Sequence, residues 1–134
     1  MKHIRVAPHE KSGIKDKNNC TICALSTAAC IPYHEAFEIG KESGRKTGKG
    51  FATFKLMETA KKFGIRFEKI ESKTISIKNF LLKFPRGRFI VRRRGHAFAI
   101  IDGAIYDYIT NKPLQRITDI WKVENHRLER IKAM

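Results

Sequence analysis

Two apolar stretches, residues 97–101 and 104–109, are separated only by the dipeptide Asp102-Gly103. Asp-Gly between apolar runs is a strong signal for a tight β-hairpin, because both central positions of the favoured turn take positive φ angles. The preceding segment, Arg88–Arg93, is apolar at its centre and predicts a further strand. We therefore expect an antiparallel sheet built from the C-terminal half of the chain.

The N-terminal half carries helical patterns instead. Asn18 and Asn19 are favoured N-cap residues, and the small and apolar residues after them predict a buried helix over about residues 20–30. Pro32 ends this helix, because proline cannot continue a helix and restricts the residue before it. The other elements, assigned by their spacing and their Gly or Pro stops, are helices over about 32–44, 51–63 and 77–84 and a half-buried strand over 65–70.

This order of elements defines the fold class. Helices followed by an antiparallel sheet are typical of an α+β domain. The 134 residues contain no internal repeat or linker, so we expect a single domain over residues 1–134, with residues 1–17 as a loosely packed lead-in. The tail from Pro113 fits either a strand or a helix, and its apolar pattern leaves both alternatives open.

The chain is strongly basic, since 28 Lys and Arg against 13 Asp and Glu give a formal charge of +15. Such a charge attracts nucleic acid or an acidic protein, although a surface kept soluble by charge is an equally open alternative. No nucleic-acid-binding motif accompanies the charge. The candidate anion- or nucleic-acid-binding residues are Arg45, Lys46, Lys49, Arg92, Arg93 and Arg94.

The sequence also bears on cellular location. No apolar stretch approaches the ~18–20 residues needed to cross a bilayer, and residues 1–11 contain no apolar signal-peptide core. Three cysteines are an odd number, which favours reduced thiols over a disulfide framework. We expect a cytoplasmic protein without a membrane span.

One cysteine lies at a position that favours reactivity. Cys20 falls in the first turn of the predicted helix, where the partial positive charge of the helix N-terminus stabilises a thiolate. A nucleophilic cysteine also needs a base, normally histidine, which is itself held by a carboxylate or amide. His96 is the best candidate, because it opens a strand that is otherwise apolar.

The geometry of the predicted hairpin selects an acidic partner for His96. With a two-residue turn, Ile101 faces Ala104, and Phe98 therefore faces Asp107. His96 and Asp107 then lie on the same face of the sheet, one diagonal step apart and within reach of each other. Asp102 shares this face but lies about 20 Å further along the strand, at about 3.3 Å per residue.

The order Cys, His, Asp, with the cysteine on a helix and the other two on adjacent strands, resembles the papain-like cysteine peptidase superfamily. The similarity is greater to small phage and bacterial members, which are distantly related to the peptidase domains of bacteriocin exporters. The motifs that carry it are Asn-Cys-Thr-Ile-Cys-Ala-Leu at 19–25, Ile-Pro-Tyr-His-Glu-Ala at 31–36, Gly-Arg-Phe-Ile-Val at 87–91, and Gly-His-Ala-Phe-Ala-Ile-Ile-Asp-Gly-Ala-Ile-Tyr-Asp at 95–107.

The resemblance implies a papain-like fold, with N-terminal helices packed on a small antiparallel sheet. It also implies a phage-encoded thiol hydrolase that cleaves a peptide or isopeptide bond in the host cytoplasm, with Cys20 as nucleophile, His96 as base and Asp107 orienting the imidazole. Papain-like enzymes carry an oxyanion-hole Gln before the nucleophile, and here only Asn18 and Asn19 offer side-chain amides. The alternative is a weakly active or inactive papain-like scaffold that binds nucleic acid or an acidic host protein.

The remaining cysteines have a simpler interpretation. We expect Cys23 and Cys30 to be buried as small apolar side chains, as free cysteine often is. A zinc site from Cys20, Cys23, Cys30 and His34 is disfavoured, because residues 20 and 30 lie about 15 Å apart along one helix at about 1.5 Å per residue. The sequence therefore predicts neither a metal nor a cofactor.

Overall fold

The computed structural model describes residues 1–127, which form four α-helices, seven β-strands and one 3-10 turn. The helices are α1 (Cys20–Ala29), α2 (Tyr33–Glu42), α3 (Met57–Lys62) and α4 (Ile77–Lys83), and the 3-10 turn (Thr53–Leu56) leads directly into α3. The strands are β1 (Lys2–Arg5), β2 (Ile65–Ile70), β3 (Ile75–Ser76), β4 (Arg88–Arg93), β5 (His96–Ile101), β6 (Ala104–Asp107) and β7 (Arg116–Asn125). The last residues of the expected domain, 128–134, lie outside this range.

The strands form one mixed sheet. Their order is β1-β6-β5-β4-β7-β2, and the short β3 pairs with β7 beyond the end of β2. Neighbours are antiparallel except for β1 and β6, which are parallel. The protein is therefore α+β as expected, but its sheet has seven described strands and a parallel pair, so the prediction of a small antiparallel sheet is wrong.

The central hairpin has the predicted register. Ile101 pairs with Ala104, and Asp102 and Gly103 form the turn with φ angles of 46° and 78°. Positive φ at both positions is what the favoured two-residue turn requires, and Asp and Gly tolerate it better than most residues. The turn is also tied to the residue before β4, because Asp102 Oδ1 accepts the Gly87 N–H at 2.8 Å.

The sheet separates two apolar layers. On one face α1 packs against β4, β5 and β7, and α1 is buried along nearly its whole length. On the other face Phe80 of α4 packs with residues such as Phe89 and Phe98. Alternation along each strand supplies both layers, since Ala99 faces α1 while Phe98 faces α4. The helices thus cover both faces of the sheet.

The N-terminal segment differs most from expectation. Residues 1–17 were expected to be a loose lead-in, but β1 extends the sheet beside β6, and the Asp16 side chain is fully buried. Four residues are too few for an alternating pattern to be distinctive, and a parallel partner 102 positions away leaves no local signal. In the tail, the strand alternative is correct: β7 pairs with both β4 and β2.

No helix among residues 1–127 is long and apolar enough to cross a membrane.

Candidate active site

Cys20 is the first residue of α1 and lies where this helix meets the start of β5. Cys20 is partly exposed, and the Ala97 N–H at the start of β5 is among the groups that lower the pKa of its thiol. The helix begins here because the Asn19 carbonyl accepts the Cys23 N–H at 2.9 Å. The Cys20 side chain therefore lies near the start of the central strand β5, while its backbone belongs to the helix N-terminus.

His96 and Asp107 form a buried pair beside this thiol. His96 Nε2 lies 2.7 Å from Asp107 Oδ2, and both side chains are almost completely buried. Two further donors hold the carboxylate, the Asn111 amide on Oδ2 and the Tyr108 N–H on Oδ1, each at 2.8 Å. The structure thus brings together Cys20, His96 and Asp107, the three residues selected from the sequence.

Aromatic side chains fix the orientation of the His96 ring. Phe98 stacks on it with a centroid distance of 5.9 Å, and Tyr108 meets it edge-on at 5.8 Å. Because Asp107 occupies Nε2, Nδ1 is the ring nitrogen left to exchange a proton with Cys20. The imidazole is therefore held by a carboxylate and by packing on two sides.

The electrostatics around Cys20 and His96 favour charge separation between these two side chains. Burial raises the pKa of Cys20, but hydrogen bonds from His96 and the Ala97 N–H, together with the charges of His96 and Arg92, outweigh burial and bring the pKa below its usual value. Burial lowers the pKa of His96, yet the hydrogen bonds to Asp107 and Cys20 raise it to about 9. These opposite shifts favour a thiolate and an imidazolium at neutral pH.

The two asparagines predicted as oxyanion donors are used elsewhere. Asn18 donates its amide to the Gly48 carbonyl at 3.0 Å, and the buried Asn19 donates to the Tyr33 hydroxyl, also at 3.0 Å. These contacts hold the segment before α1 and lend no support to the predicted role. The backbone N–H groups of the first helical turn, which have no intrahelical acceptors, remain near the thiol as donors.

Arg45 is part of a buried cluster and not of an anion-binding surface. Its guanidinium binds both carboxylate oxygens of Asp16, at 2.9 and 3.0 Å, with side-chain exposures of 2% for Arg45 and 0% for Asp16. Asp16 also accepts the Tyr33 hydroxyl at 2.8 Å and the Gly48 N–H at 2.7 Å. The prediction for Arg45 is therefore wrong, because this cation is already neutralised inside the protein.

The three arginines at the end of β4 have different surroundings. Arg92 Nη1 donates to the Thr21 hydroxyl at 3.3 Å, one residue from Cys20. Arg93 Nε donates to Asn111 Oδ1 at 2.8 Å and so supports the amide that holds Asp107. Arg94 is exposed. No spacing in the sequence marks Asn111, which lies on the loop after β6 and was not among the predicted site residues.

A groove of about 770 Å³ lies beside Arg92. Arg92, Lys69 and Asp119 supply charged groups to its wall. Thr53 also lies in the wall, but its hydroxyl is buried and has no hydrogen-bond partner among the described residues. The apolar part of the lining comes from Phe51, Ala52, Phe54, Met57 and Trp121. The groove is connected to the thiol region through Thr21, whose hydroxyl donates to the Phe51 carbonyl at 2.8 Å.

The other cysteines have different surroundings. Cys23 is buried as expected, but its Sγ lies 3.2 Å from His9 Nδ1, and burial raises the pKa of this thiol to about 12. Cys30 is exposed at the C-terminal end of α1, so the prediction that it is buried is wrong. It occupies a left-handed C-cap position, with φ 56°, beyond the packed part of the helix.

Among residues 1–127, no group of three or more His, Cys, Asp or Glu side chains is arranged to hold a metal ion. Comparisons with models of protein families, with curated proteins and with solved structures find no match to this chain.

Proposed function

We propose that this protein is a papain-like thiol hydrolase that cleaves a peptide or isopeptide bond. Cys20 is the nucleophile, His96 is the acid and base, and Asp107 orients the imidazole. The supporting observation is the buried His96–Asp107 hydrogen bond of 2.7 Å beside a helix N-terminal thiol whose pKa is lowered. Nucleophile, base and orienting carboxylate are the groups that covalent catalysis by a cysteine requires.

The first half of the reaction forms a thioester. The Cys20 thiolate attacks the carbonyl carbon and produces a tetrahedral oxyanion, which N–H groups of the first turn of α1 can stabilise. When the carbon–nitrogen bond breaks, the His96 imidazolium gives its Nδ1 proton to the departing amine. Asp107 remains ionised and keeps Nε2–H bonded throughout.

The second half releases the acid product. Neutral His96 accepts a proton from water at Nδ1, and the resulting hydroxide attacks the thioester carbonyl. Collapse of the second tetrahedral intermediate breaks the carbon–sulfur bond and restores the thiolate–imidazolium pair. Both halves use the same ring nitrogen, because the hydrogen bond to Asp107 prevents the ring from turning over.

The groove beside Arg92 offers a place for the substrate chain. Its apolar lining suits a large apolar side chain. The groove lies next to the residue that follows Cys20, so a bound chain could extend over the thiol.

The experiment that tests this proposal measures both labelling and hydrolysis. In a Cys30→Ser background, which removes the exposed thiol, iodoacetamide is expected to alkylate Cys20 at neutral pH. A panel of peptides and isopeptide-linked substrates, chosen with large apolar residues, is then screened for newly released amino groups. The Cys20→Ser change should abolish both signals.

Its matched control is Cys23→Ser, which removes the neighbouring buried thiol and leaves the Cys20–His96–Asp107 arrangement in place. Hydrolysis should survive this change. Neutral-pH labelling that is equal in the Cys30→Ser protein and in the Cys20→Ser, Cys30→Ser double variant would contradict the assignment of Cys20 as nucleophile.

A second candidate function is binding of nucleic acid or of an acidic protein. The observation that favours it is the loop 44–50, which Arg45 and Asp16 anchor from inside while Lys46 and Lys49 remain exposed at its surface. The Lys17 side chain lies alongside, next to Gly48. An anchored loop that presents several lysines can contact phosphates without binding in a sequence-specific way.

A salt titration tests this candidate. We expect random-sequence DNA or RNA to bind the protein with an affinity that falls steeply with salt, and the Lys46→Gln, Lys49→Gln variant to reduce the slope by up to about 2. The control variant Lys61→Gln, Lys62→Gln removes the same charge from α3. If both variants reproduce the slope of the unmodified protein, the loop 44–50 does not bind phosphates.

A further inference from the structure

We propose that Cys20 and Cys23 form a reversible disulfide when the protein meets a peroxide. This would be an oxidative modification site of the first turn of α1. Formation of this disulfide requires no hydrolytic activity, although it would remove the nucleophile of the proposed function.

The positions of the two cysteines permit the bond. They are three residues apart in the first turn of a helix, a spacing at which Cβ atoms lie about 5–6 Å apart. A disulfide needs about 3.5–4.5 Å, so the turn must tighten by only an ångström or two. Both residues also line the same small cavity, of about 10 Å³.

The start of α1 can accommodate this tightening. The N–H of Cys20, the first residue of α1, has no intrahelical acceptor, whereas the Cys23 N–H is bonded to the Asn19 carbonyl. The Asn19 side chain makes no capping bond either, because it is directed to Tyr33. The Cys20 end of the turn is therefore held less firmly than the buried Cys23 end.

His9 gives the buried thiol a base. His9 Nδ1 lies 3.2 Å from Cys23 Sγ, and the ring packs edge-on against Tyr108 with a centroid distance of 5.0 Å. Burial raises the pKa of Cys23 to about 12, so this thiol reacts only if a neighbouring base takes its proton. The two cysteines thus differ, because Cys20 is a partly exposed thiol with a lowered pKa and Cys23 is a buried thiol beside a histidine.

The oxidation proceeds in two steps, formation of a sulfenic acid at Cys20 and closure of the disulfide. The Cys20 thiolate attacks one peroxide oxygen, the oxygen–oxygen bond breaks, and the departing hydroxide takes the proton of the His96 imidazolium, which leaves a sulfenic acid and water. Cys23 then loses its proton to His9 and attacks the Cys20 sulfur, and the departing hydroxide recovers that proton as a second water. Two thiols are oxidised by two electrons, and one peroxide is reduced to two waters.

Cys30 cannot replace Cys23 within the same molecule. It follows the last residue of α1, about 15 Å from Cys20 at about 1.5 Å per residue. Cys23 is therefore the intramolecular partner that the fold offers to an oxidised Cys20.

The experiment uses the full chain carrying Cys30→Ser, treated with an equivalent of hydrogen peroxide. We expect intact mass spectrometry to show the loss of two hydrogen atoms, peptide mapping to place the link between Cys20 and Cys23, and dithiothreitol to reverse it. Gain of oxygen atoms without the loss of hydrogen, or a disulfide between two molecules, would overturn the proposal.

Two variants separate the steps. Cys23→Ser should stop at the sulfenic acid, which dimedone traps, and proceed to irreversible sulfinic acid at higher peroxide. His9→Gln should slow disulfide closure, and because the sulfenic acid then persists for longer, dimedone should trap more of it. The Cys30→Ser measurement itself needs no change in the core, so it decides the proposal even if the His9 variant is unstable. The two proposals can fail separately. Disulfide formation without hydrolysis would contradict only the proposed function, and hydrolysis without disulfide formation would contradict only the present proposal.

Discussion

Replacing His96 with Gln is expected to lower the rate of hydrolysis at neutral pH by about 10²–10⁴-fold, the usual contribution of a positioned acid and base. The substitution also removes the hydrogen bond and the charge that counteract burial of the Cys20 thiol. With burial left to act, the pKa of Cys20 should rise. Alkylation of Cys20 at pH 7 should then slow, and the midpoint of its pH profile should move to higher pH.

Asp107→Asn should show a different pH signature. Asp107 is the main group that raises the pKa of His96 to about 9, against the effect of burial. A thiolate–imidazolium pair exists between the lower pKa of the thiol and the higher pKa of the imidazole, so His96 sets the alkaline limit of activity. Without the carboxylate this alkaline limit should move to lower pH.

The control for both substitutions is His34→Gln, a change at an exposed histidine of α2. It should leave hydrolysis and the alkylation profile unchanged. All alkylation measurements use the Cys30→Ser background. A His96→Gln protein that keeps the unmodified alkylation profile would show that His96 does not control the thiol.

Arg45→Met is expected to reduce the free energy of unfolding by about 3–5 kcal/mol, because it leaves the Asp16 carboxylate buried without its cation. The matched control is Arg5→Met. Arg5 pairs with Glu10 at the same distance of 2.9 Å, but this pair is exposed and its loss should change stability by less than about 1 kcal/mol. Urea unfolding at neutral pH measures both variants. Equal losses would show that the buried pair has no special role.

The pH dependence of this effect follows from Asp16. Burial raises the pKa of Asp16, but hydrogen bonds from Arg45, Tyr33 and the Gly48 N–H outweigh burial and bring the pKa below its usual value. A lowered folded-state pKa means that the stabilisation is complete above the unfolded value of about 3.9 and is lost as the pH falls through the folded value. Unfolding of the unmodified protein and of Asp16→Asn should therefore converge in acid.

Local signals in the sequence predicted much of this fold. The register of the β5–β6 hairpin follows from Asp102-Gly103, and that register alone brought His96 and Asp107 to one face of the sheet. The bounds of α1 lie close to those predicted from the asparagines before it and Pro32 after it, although the Asn19 side chain does not cap the helix. These features depend on residues near one another in the chain, where turn preference and periodicity act directly.

The contacts around the site could not be predicted in this way. Arg45 meets Asp16 across 29 positions, Arg92 meets Thr21 across 71, and β1 pairs in parallel with β6. A basic residue in a glycine-rich loop has the same sequence signal whether its charge faces water or a buried carboxylate. The chain therefore specifies through local pattern where the helices, the hairpin and the candidate thiol lie. Only packing across the sheet determines which charges are neutralised inside, because burial and pairing depend on distances that the sequence does not contain.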